Sequence, residues 1–272
     1  DYPIESNVGY YPGCVDYLDQ EMVFSHVNEG EMNLGDATTS AFTIFDEIGV
    51  DVSYLGRDFL KCCGHDQKWQ GLTEVFEKLK AYNQKKIQQS GIDTLVSSCA
   101  ECFRTFARDY ELEDVKVMHT TEFLIEQGFD MNLKVEEETT VTYHDPCRLG
   151  RQMGIYEEPR ELIQSVEGVS IVEMEHSGED AMCCGVSSMM SCNENARALR
   201  VARMEEIKST GADTMLTSCP KCVSHFECLK FEGDERYSDI KILDVVSFLA
   251  QQINEKKEKI GQESINTIET EA

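Results

Sequence analysis

Basic residues are scarce in this chain. Among 272 residues, 25 Lys and Arg stand against 51 Asp and Glu, for a net charge of −26 at pH 7. Such a polyanion repels nucleic acid and anionic lipid surfaces, so neither is expected as a partner. Long apolar runs are also missing. No stretch reaches the ~18 residues that a membrane-spanning helix needs, so direct membrane insertion is excluded and any membrane link is left to partners. Nor is the chain one of the small, disulfide-stapled domains, being long enough to bury a large core without them. Its hydrophobic content of 41% and charged content of 28% are ordinary for a globular protein. A cytoplasmic location is expected, with membrane association only through partners, and the Asp1 start fits a processed chain or a fragment.

What is abundant is cysteine, with twelve residues. They follow an internal repeat. Ile87 to Phe106 (IQQSGIDTLVSSCAECFRTF) aligns with Ile207 to Phe226 (IKSTGADTMLTSCPKCVSHF) at a constant offset of 120, with identities at Ile87, Gly91, Asp93, Thr94, Ser98, Cys99, Cys102 and Phe106. Cys62-Cys63-Gly64 answers Cys183-Cys184-Gly185, Cys14 answers Cys147, and VMHTTEFL from Val117 mirrors ILDVVSFL from Ile242. The expected organisation is a first repeat over 1–135, a second over 136–254 and a tail over 255–272. The acidic Glu136-Glu137-Glu138 is taken as the seam. With few large apolar residues, the tail is expected to be a frayed helix end or disordered.

Each copy reads as alternating strand and helix. Val50–Leu55, Thr94–Ser97, Val141–His144, Ser170–Met174 and Thr214–Thr217 are short β-favouring runs. Leu72, Val75, Phe76, Leu79, Tyr82 and Asn83 mark one helical face, and Ala198, Val201, Ala202 and Glu205 another. Gly91 and Gly211 stand where helices end. The fold expected is α/β, with two pseudo-repeated Rossmann-like units whose parallel sheets pack face to face. Both Cys-x-x-Cys elements then lie at a strand's carboxyl end and open a helix, where α/β sheets bind ligands.

Per copy the pattern is one Cys, then Cys-Cys-Gly, then Cys-x-x-Cys. Gaps of 47 and 35 residues in the first copy correspond to 35 and 34 in the second. Thiolates are soft ligands for zinc, Cu(I) or iron–sulfur clusters, and a helix N-terminus favours their charge. Adjacent cysteines chelate one centre only in a forced turn, which Gly64 and Gly185 permit. Five sulfurs exceed the four of tetrahedral zinc or a cubane cluster. A redox dithiol or structural zinc is the alternative that a single Cys-x-x-Cys would favour; duplication of all five positions weighs against it.

These motifs resemble those of the cysteine-rich CCG-domain family, typified by the catalytic B-type chain of heterodisulfide reductase and the corresponding part of its D-type chain. The resemblance covers Tyr10 to Leu249 and rests on YYPGC, YHDPCRLGR, both CCG triplets, SSCAEC and TSCPKC. It implies two noncubane 4Fe-4S clusters, one held by Cys14, Cys62, Cys63, Cys99 and Cys102, the other by Cys147, Cys183, Cys184, Cys219 and Cys222. It further implies one-electron cleavage of a coenzyme M–coenzyme B type heterodisulfide to two thiols between them. Two departures are visible: the longer gap after Cys14 suggests an inserted loop, and Gly185-Val186-Ser187-Ser188 is less glycine-rich than expected.

Only Cys192 and Cys228 remain beyond the ten, and both are read as packing thiols. With no further quartet, electrons are expected from cubane clusters on an iron–sulfur partner subunit, with a flavin-containing or membrane donor beyond it. A small anionic disulfide would need local positive charge, for which Lys61, His65, Arg104, His144, Arg148, Arg151, Lys221 and His225 are candidates. His144 and Arg148, which flank Cys147, are assigned catalytic roles: Arg148 for the anion, His144 for a departing thiolate. For each, a salt bridge or a satisfied core histidine is the plainer reading. Trp69 and Met189-Met190 follow the CCG turns as cleft walls or core filling. The competing function is a CCG-type electron-transfer subunit, as in glycolate or lactate oxidation, without its own substrate.

Overall fold

The computed structural model describes residues 4–15, 36–186, 193–231 and 235–271, with the side chains of the last helix described to Gln262. Cys192 and Met189-Met190 lie outside the described residues, as does 16–35, which holds much of the loop expected after Cys14.

Two four-stranded, all-parallel sheets form the scaffold. The first runs in the order β2-β1-β3-β4, with β1 at Val8–Tyr10, β2 at Ser53–Tyr54, β3 at Thr94–Ser97 and β4 at Lys116–His119. The second repeats it as β6-β5-β7-β8, with β5 at Lys134–His144, β6 at Glu167–Ile171, β7 at Thr214–Thr217 and β8 at Lys241–Asp244. In each copy the first strand lies between the second and the third, so the chain reverses its direction of travel across the sheet beside it. Loops leaving β1 and β3, or β5 and β7, therefore splay apart and open a crevice. Cys14 follows β1 and Cys99 follows β3; Cys147 and Cys219 hold the same places after β5 and β7.

Hydrophobic burial orders the helices around these sheets. In sequence they are α1 (Asp36–Glu47), α2 (His65–Trp69), α3 (Thr73–Ser90), α4 (Ala100–Asp109), α5 (Thr120–Glu126), α6 (Gly150–Met153), α7 (Glu157–Gln164), α8 (Glu194–Ser209), α9 (Pro220–Phe231) and α10 (Val245–Glu271). The central strands are fully covered: Leu95, Val96, Met215 and Leu216 are all buried, as strands with helices on both faces must be. The halves meet helix on helix, α1 against α10 and α5 against α7. One core cluster spans the join, with Ile44, Phe45 and Phe123 from the first copy and Leu162, Val245 and Leu249 from the second.

Several expectations shift in detail. Glu136–Glu138 lies inside β5, whose first half carries an exposed edge while Val135 and Val141 turn inward. The tail is helical to Glu271. Its lysines explain this: Lys256 Nζ donates to the Met131 carbonyl at 2.8 Å, Lys257 pairs with Glu47 and Lys259 with Glu136, tying a polar helix to the rest of the protein. On α3 only Phe76, Asn83 and Ile87 are buried, while Leu72, Val75 and Tyr82 are exposed. On α8 the buried face is Ala196, Arg200, Arg203, Met204 and Ile207 rather than the apolar stripe expected. Gly91 and Gly211 do adopt positive φ, 74° and 75°, as helix ends require.

Because α10 closes the shared core, Leu249→Ala is expected to destabilise the protein by about 3 kcal/mol, the usual cost of a buried Leu truncation. Chemical denaturation should register this as a shift of one cooperative transition; a loss below ~1 kcal/mol, or melting of α10 alone, contradicts it.

Candidate metal centre at the carboxyl ends of the sheets

The sequence places five cysteines per copy on three loops, and parallel-sheet topology gathers those loops at one end. In the first set, Cys62 Sγ contacts Cys63, Cys63 contacts Cys102, and Cys102 contacts both Cys99 and Cys14. In the second, contacts run from Cys147 to Cys183, Cys184, Cys222 and Cys219. The Cys222 to Cys184 sulfur distance is 3.3 Å. All ten are free thiols.

Local backbone geometry explains how adjacent cysteines converge. Gly64 and Gly185 both have φ of +82°, a left-handed turn that other residues adopt only under strain. Each turns its own N–H back onto sulfur: Gly64 N donates to Cys62 Sγ at 3.4 Å and Gly185 N to Cys183 Sγ at 3.3 Å. Gly13 is needed for space as well, since a Cβ there would stand 2.8 Å from Cys99 Cβ and 3.1 Å from Cys102 Sγ. A tyrosine–serine bond braces each site from below: Tyr10 Oη lies 3.0 Å from Ser98 Oγ, and Tyr143 Oη donates to Ser218 Oγ at 3.1 Å.

The two sets are not separate. Cys99 Sγ contacts Cys219 Sγ. These two occupy the same place in the repeat, and residues related by a two-fold rotation can touch only on its axis. The next pair at the same offset confirms that axis. Lys221 Nζ reaches Glu101 Oε2 at 2.5 Å and Asp66 at 2.6 Å, with Lys221 only 2% exposed. His65 adds Nε2 at 3.6 Å from Glu101 and Nδ1 at 3.0 Å from Thr105. Carboxylate contacts hold the Lys221 ammonium charged against the effect of its burial, whereas burial pushes Glu101 up to about 8.

Electrostatics at the sulfurs argue for a cationic occupant. Cys63, Cys183 and Cys219 are held below the ordinary thiol range by hydrogen bonds from, respectively, Cys102, Cys147 and Cys222, while Cys62 and Cys147 are pushed up by donating a hydrogen bond to a neighbouring sulfur, Cys63 and Cys183 respectively, and by burial. Five packed sulfurs cannot all ionise against one another; a metal group removes that repulsion and the protons together. Five soft donors in one contact chain, with glycines clearing space beside them, fit a multi-iron group rather than one tetrahedral zinc.

Of the other expected residues, Arg148 and His144 stand at the second set. Arg148 Cζ lies 3.9 Å from the centre of the Trp69 ring, which Arg104 approaches at 5.6 Å from the other copy. No carboxylate of the described residues pairs with Arg148, although acids outnumber bases twofold. His144 is fully buried; burial and then Arg203 push it down to about 3, so it is neutral. His225 Nδ1 lies 2.9 Å from the Cys184 carbonyl. Lys61 is exposed and donates to the Arg57 carbonyl, Arg104 pairs with Asp109, and Arg151 donates to the Ala181 carbonyl. Cys228 is half-buried and stands outside both sulfur sets.

Sequence reading missed Glu101 and Asp66 around Lys221, and Arg203 behind His144. The first had a usable signal: Glu101 and Lys221 have opposite charges at one repeat position. A cavity of about 640 Å³ opens beside Thr214 and Lys241 at the strands' amino ends and is lined by Glu136, Glu255 and Glu258, on the far side from the sulfurs.

A duplicated parallel α/β scaffold with five converging thiols at the carboxyl end of each sheet defines a class of cysteine-rich, twin-repeat α/β proteins. Within it, the chain belongs to the CCG cysteine-rich domain family, which matches residues 8–107 and 141–227. The D-type chain of dihydromethanophenazine:CoB–CoM heterodisulfide reductase from Methanosarcina acetivorans is 30% identical over 259 residues, covering 91% of this chain and 59% of that protein. The B-type chain of fumarate reductase (CoM/CoB) from Methanothermobacter marburgensis is 30% identical over 250 residues, covering 90% and 46%. The probable iron-sulfur-binding oxidoreductase FadF of Bacillus subtilis is 28% identical over 230 residues, covering 80% and 32%. The chain thus spans between a third and three fifths of the length of these relatives. No helix of the described residues is long and apolar enough to cross a membrane.

Behind the second set, burial raises the Asp244 carboxyl from 3.8 to about 8, while its Oδ1 caps α10 through the Val246 N–H. A carboxyl that binds its proton more tightly when folded stabilises the fold below about pH 4, and this contribution is lost as pH rises through about 8. Asp244→Asn keeps the cap and is expected to reduce the decline between pH 5 and 8 by about 1 kcal/mol per pH unit, the share that this carboxyl contributes. Urea midpoints across that range measure this, and parallel profiles for the two proteins rule it out.

Proposed function

We propose that the chain is an iron–sulfur oxidoreductase subunit that reduces a small anionic disulfide, of the coenzyme M–coenzyme B type, to two thiols. Cys14, Cys62, Cys63, Cys99 and Cys102 would hold one four-iron cluster of the noncubane type, and Cys147, Cys183, Cys184, Cys219 and Cys222 a second. The contact between Cys99 and Cys219 carries this reading, because it sets two donor groups from different copies against one another. A disulfide bridging two such groups meets one at each sulfur.

Cleaving S–S takes two electrons, and each cluster when bound supplies one. Splitting the pair this way avoids releasing a free thiyl radical. Arg148 is suited to the anionic end of the substrate, since Trp69 holds its guanidinium and no carboxylate of the described residues neutralises it. His144 turns an imidazole towards the second sulfur set. Electrons would come from cubane clusters outside these 272 residues, in a partner subunit, with a flavin-containing or membrane donor beyond. The names of the relatives, which include subunits of reductases acting with CoM and CoB, support this reading.

Iron-loaded protein with a reduced viologen under anoxia is expected to release two thiols per heterodisulfide consumed, and Cys62→Ser and Cys183→Ser each to lower that rate at least 100-fold. Fully loaded protein that turns nothing over would instead be an electron relay, the role proposed for a CCG subunit without its own substrate.

A further inference from the structure

At the two CCG turns the sulfurs receive the same backbone hydrogen bonds. Gly64 and Gly185 donate to Cys62 and Cys183, and His65 N and Val186 N donate to Cys63 and Cys184. Among the matched positions whose side chains differ, Tyr11 in the first copy answers His144 in the second. Tyr11, whose hydroxyl lies among the first set's sulfurs, gives its one proton to the Lys61 carbonyl at 3.0 Å. His144 has no such acceptor for a ring proton on Nε2.

Arg203 and His144 are both completely buried. Arg203 Nε donates to His144 Nδ1 at 3.1 Å. A guanidinium has no lone pair to offer, so Nδ1 must be the acceptor and the ring proton must sit on Nε2. Nε2 has no hydrogen-bond partner among the described residues. A ring nitrogen of His144 and the sulfurs of Cys184 and Cys222 lie within 4.8 Å of one another. With Nδ1 occupied, the nitrogen free to face those sulfurs is Nε2. Arg203 is held in turn by the His176 carbonyl at 2.7 Å and by Glu206, and Phe226 packs edge-on against the imidazole at 5.0 Å. The ring can neither tilt nor exchange its tautomer without breaking the bond to Arg203. For the same reason its sulfur-facing nitrogen has a proton and no lone pair, which makes it a donor and not a metal ligand.

We propose that Arg203 is a positioning residue that fixes His144 as an N–H donor to the second sulfur set, raising the reduction potential of the second cluster without a matching effect on the first. Hydrogen bonds to cluster sulfur stabilise the reduced, more negative state. Lys221, Glu101 and Asp66 lie on the axis between the sets and stay in place in every variant below. The inference rests on the proposal that both sets hold iron–sulfur clusters and is independent of disulfide cleavage, so loaded protein without turnover would end that reaction and leave this test intact.

The test is an anaerobic redox titration followed by EPR on native protein, His144→Leu, His144→Gln and Arg203→Met, with the iron and sulfide content of each measured first. His144→Leu should shift one cluster to lower potential and leave the other unchanged. His144→Gln, which keeps an N–H near the Nε2 position, should recover most of that shift. Arg203→Met should move the same cluster in the same direction by less, because the ring proton becomes free to move to Nδ1. Unchanged potentials in His144→Leu, equal shifts of both clusters, or no recovery in His144→Gln would overturn the proposal. Loss of half the iron in both His144 variants would do so as well, by making His144 a ligand.

Discussion

Contact between Cys99 and Cys219 on the local two-fold axis is the constraint around which the rest is arranged. Duplication alone would give two sites at the far ends of two sheets. Bringing corresponding sulfurs together requires the copies to meet carboxyl end to carboxyl end, which the shared core of α1, α5, α7 and α10 maintains. Lys221 and Glu101 reinforce the same axis with a buried ion pair. Such a pair contributes little net stability against an apolar alternative, yet here it fixes how the copies are oriented at the point where their sulfurs meet.

Symmetry in the scaffold is paired with asymmetry in the side chains. Backbone geometry around the CCG turns repeats closely: the φ values match and the N–H to sulfur bonds match. Charges do not. Glu101 is answered by Lys221, Tyr11 by His144, His119 by Asp244. A symmetric frame makes two equivalent sites, and substitutions at matched positions then differentiate them without disturbing the sulfurs. That division suits a reaction in which the two halves of one bond end up on chemically different products.

Much of the fold is legible in the sequence because thiol spacing and strand patterning repeat. Thr94–Ser97 and Thr214–Thr217 are readable as strands to the residue, since buried central strands are short apolar runs with glycine-marked helix ends before them. Edge strands are harder: β4 and β8 are only four residues long, with Lys116 and Lys241 at their starts. The inward face of α8 is hidden for a different reason. Arg200 and Arg203 read as solvent-facing on any hydrophobicity pattern, and only the polar partners around His144 allow Arg203 inside. Between a frayed helix end and a disordered tail over 255–272 the sequence does not choose, because the anchors are lysines reaching to Met131, Glu47 and Glu136, contacts that leave no periodic signature.

The most direct measurement of the twin-cluster claim is iron, acid-labile sulfide and zinc analysis of anaerobically purified protein, beside a variant with Cys147, Cys183 and Cys184 replaced by serine. About eight iron and eight sulfide per chain are expected in the native protein, and about half of each in the variant. Zinc without sulfide, or iron content unchanged by emptying the second set, would contradict the assignment of one cluster to each set of five sulfurs.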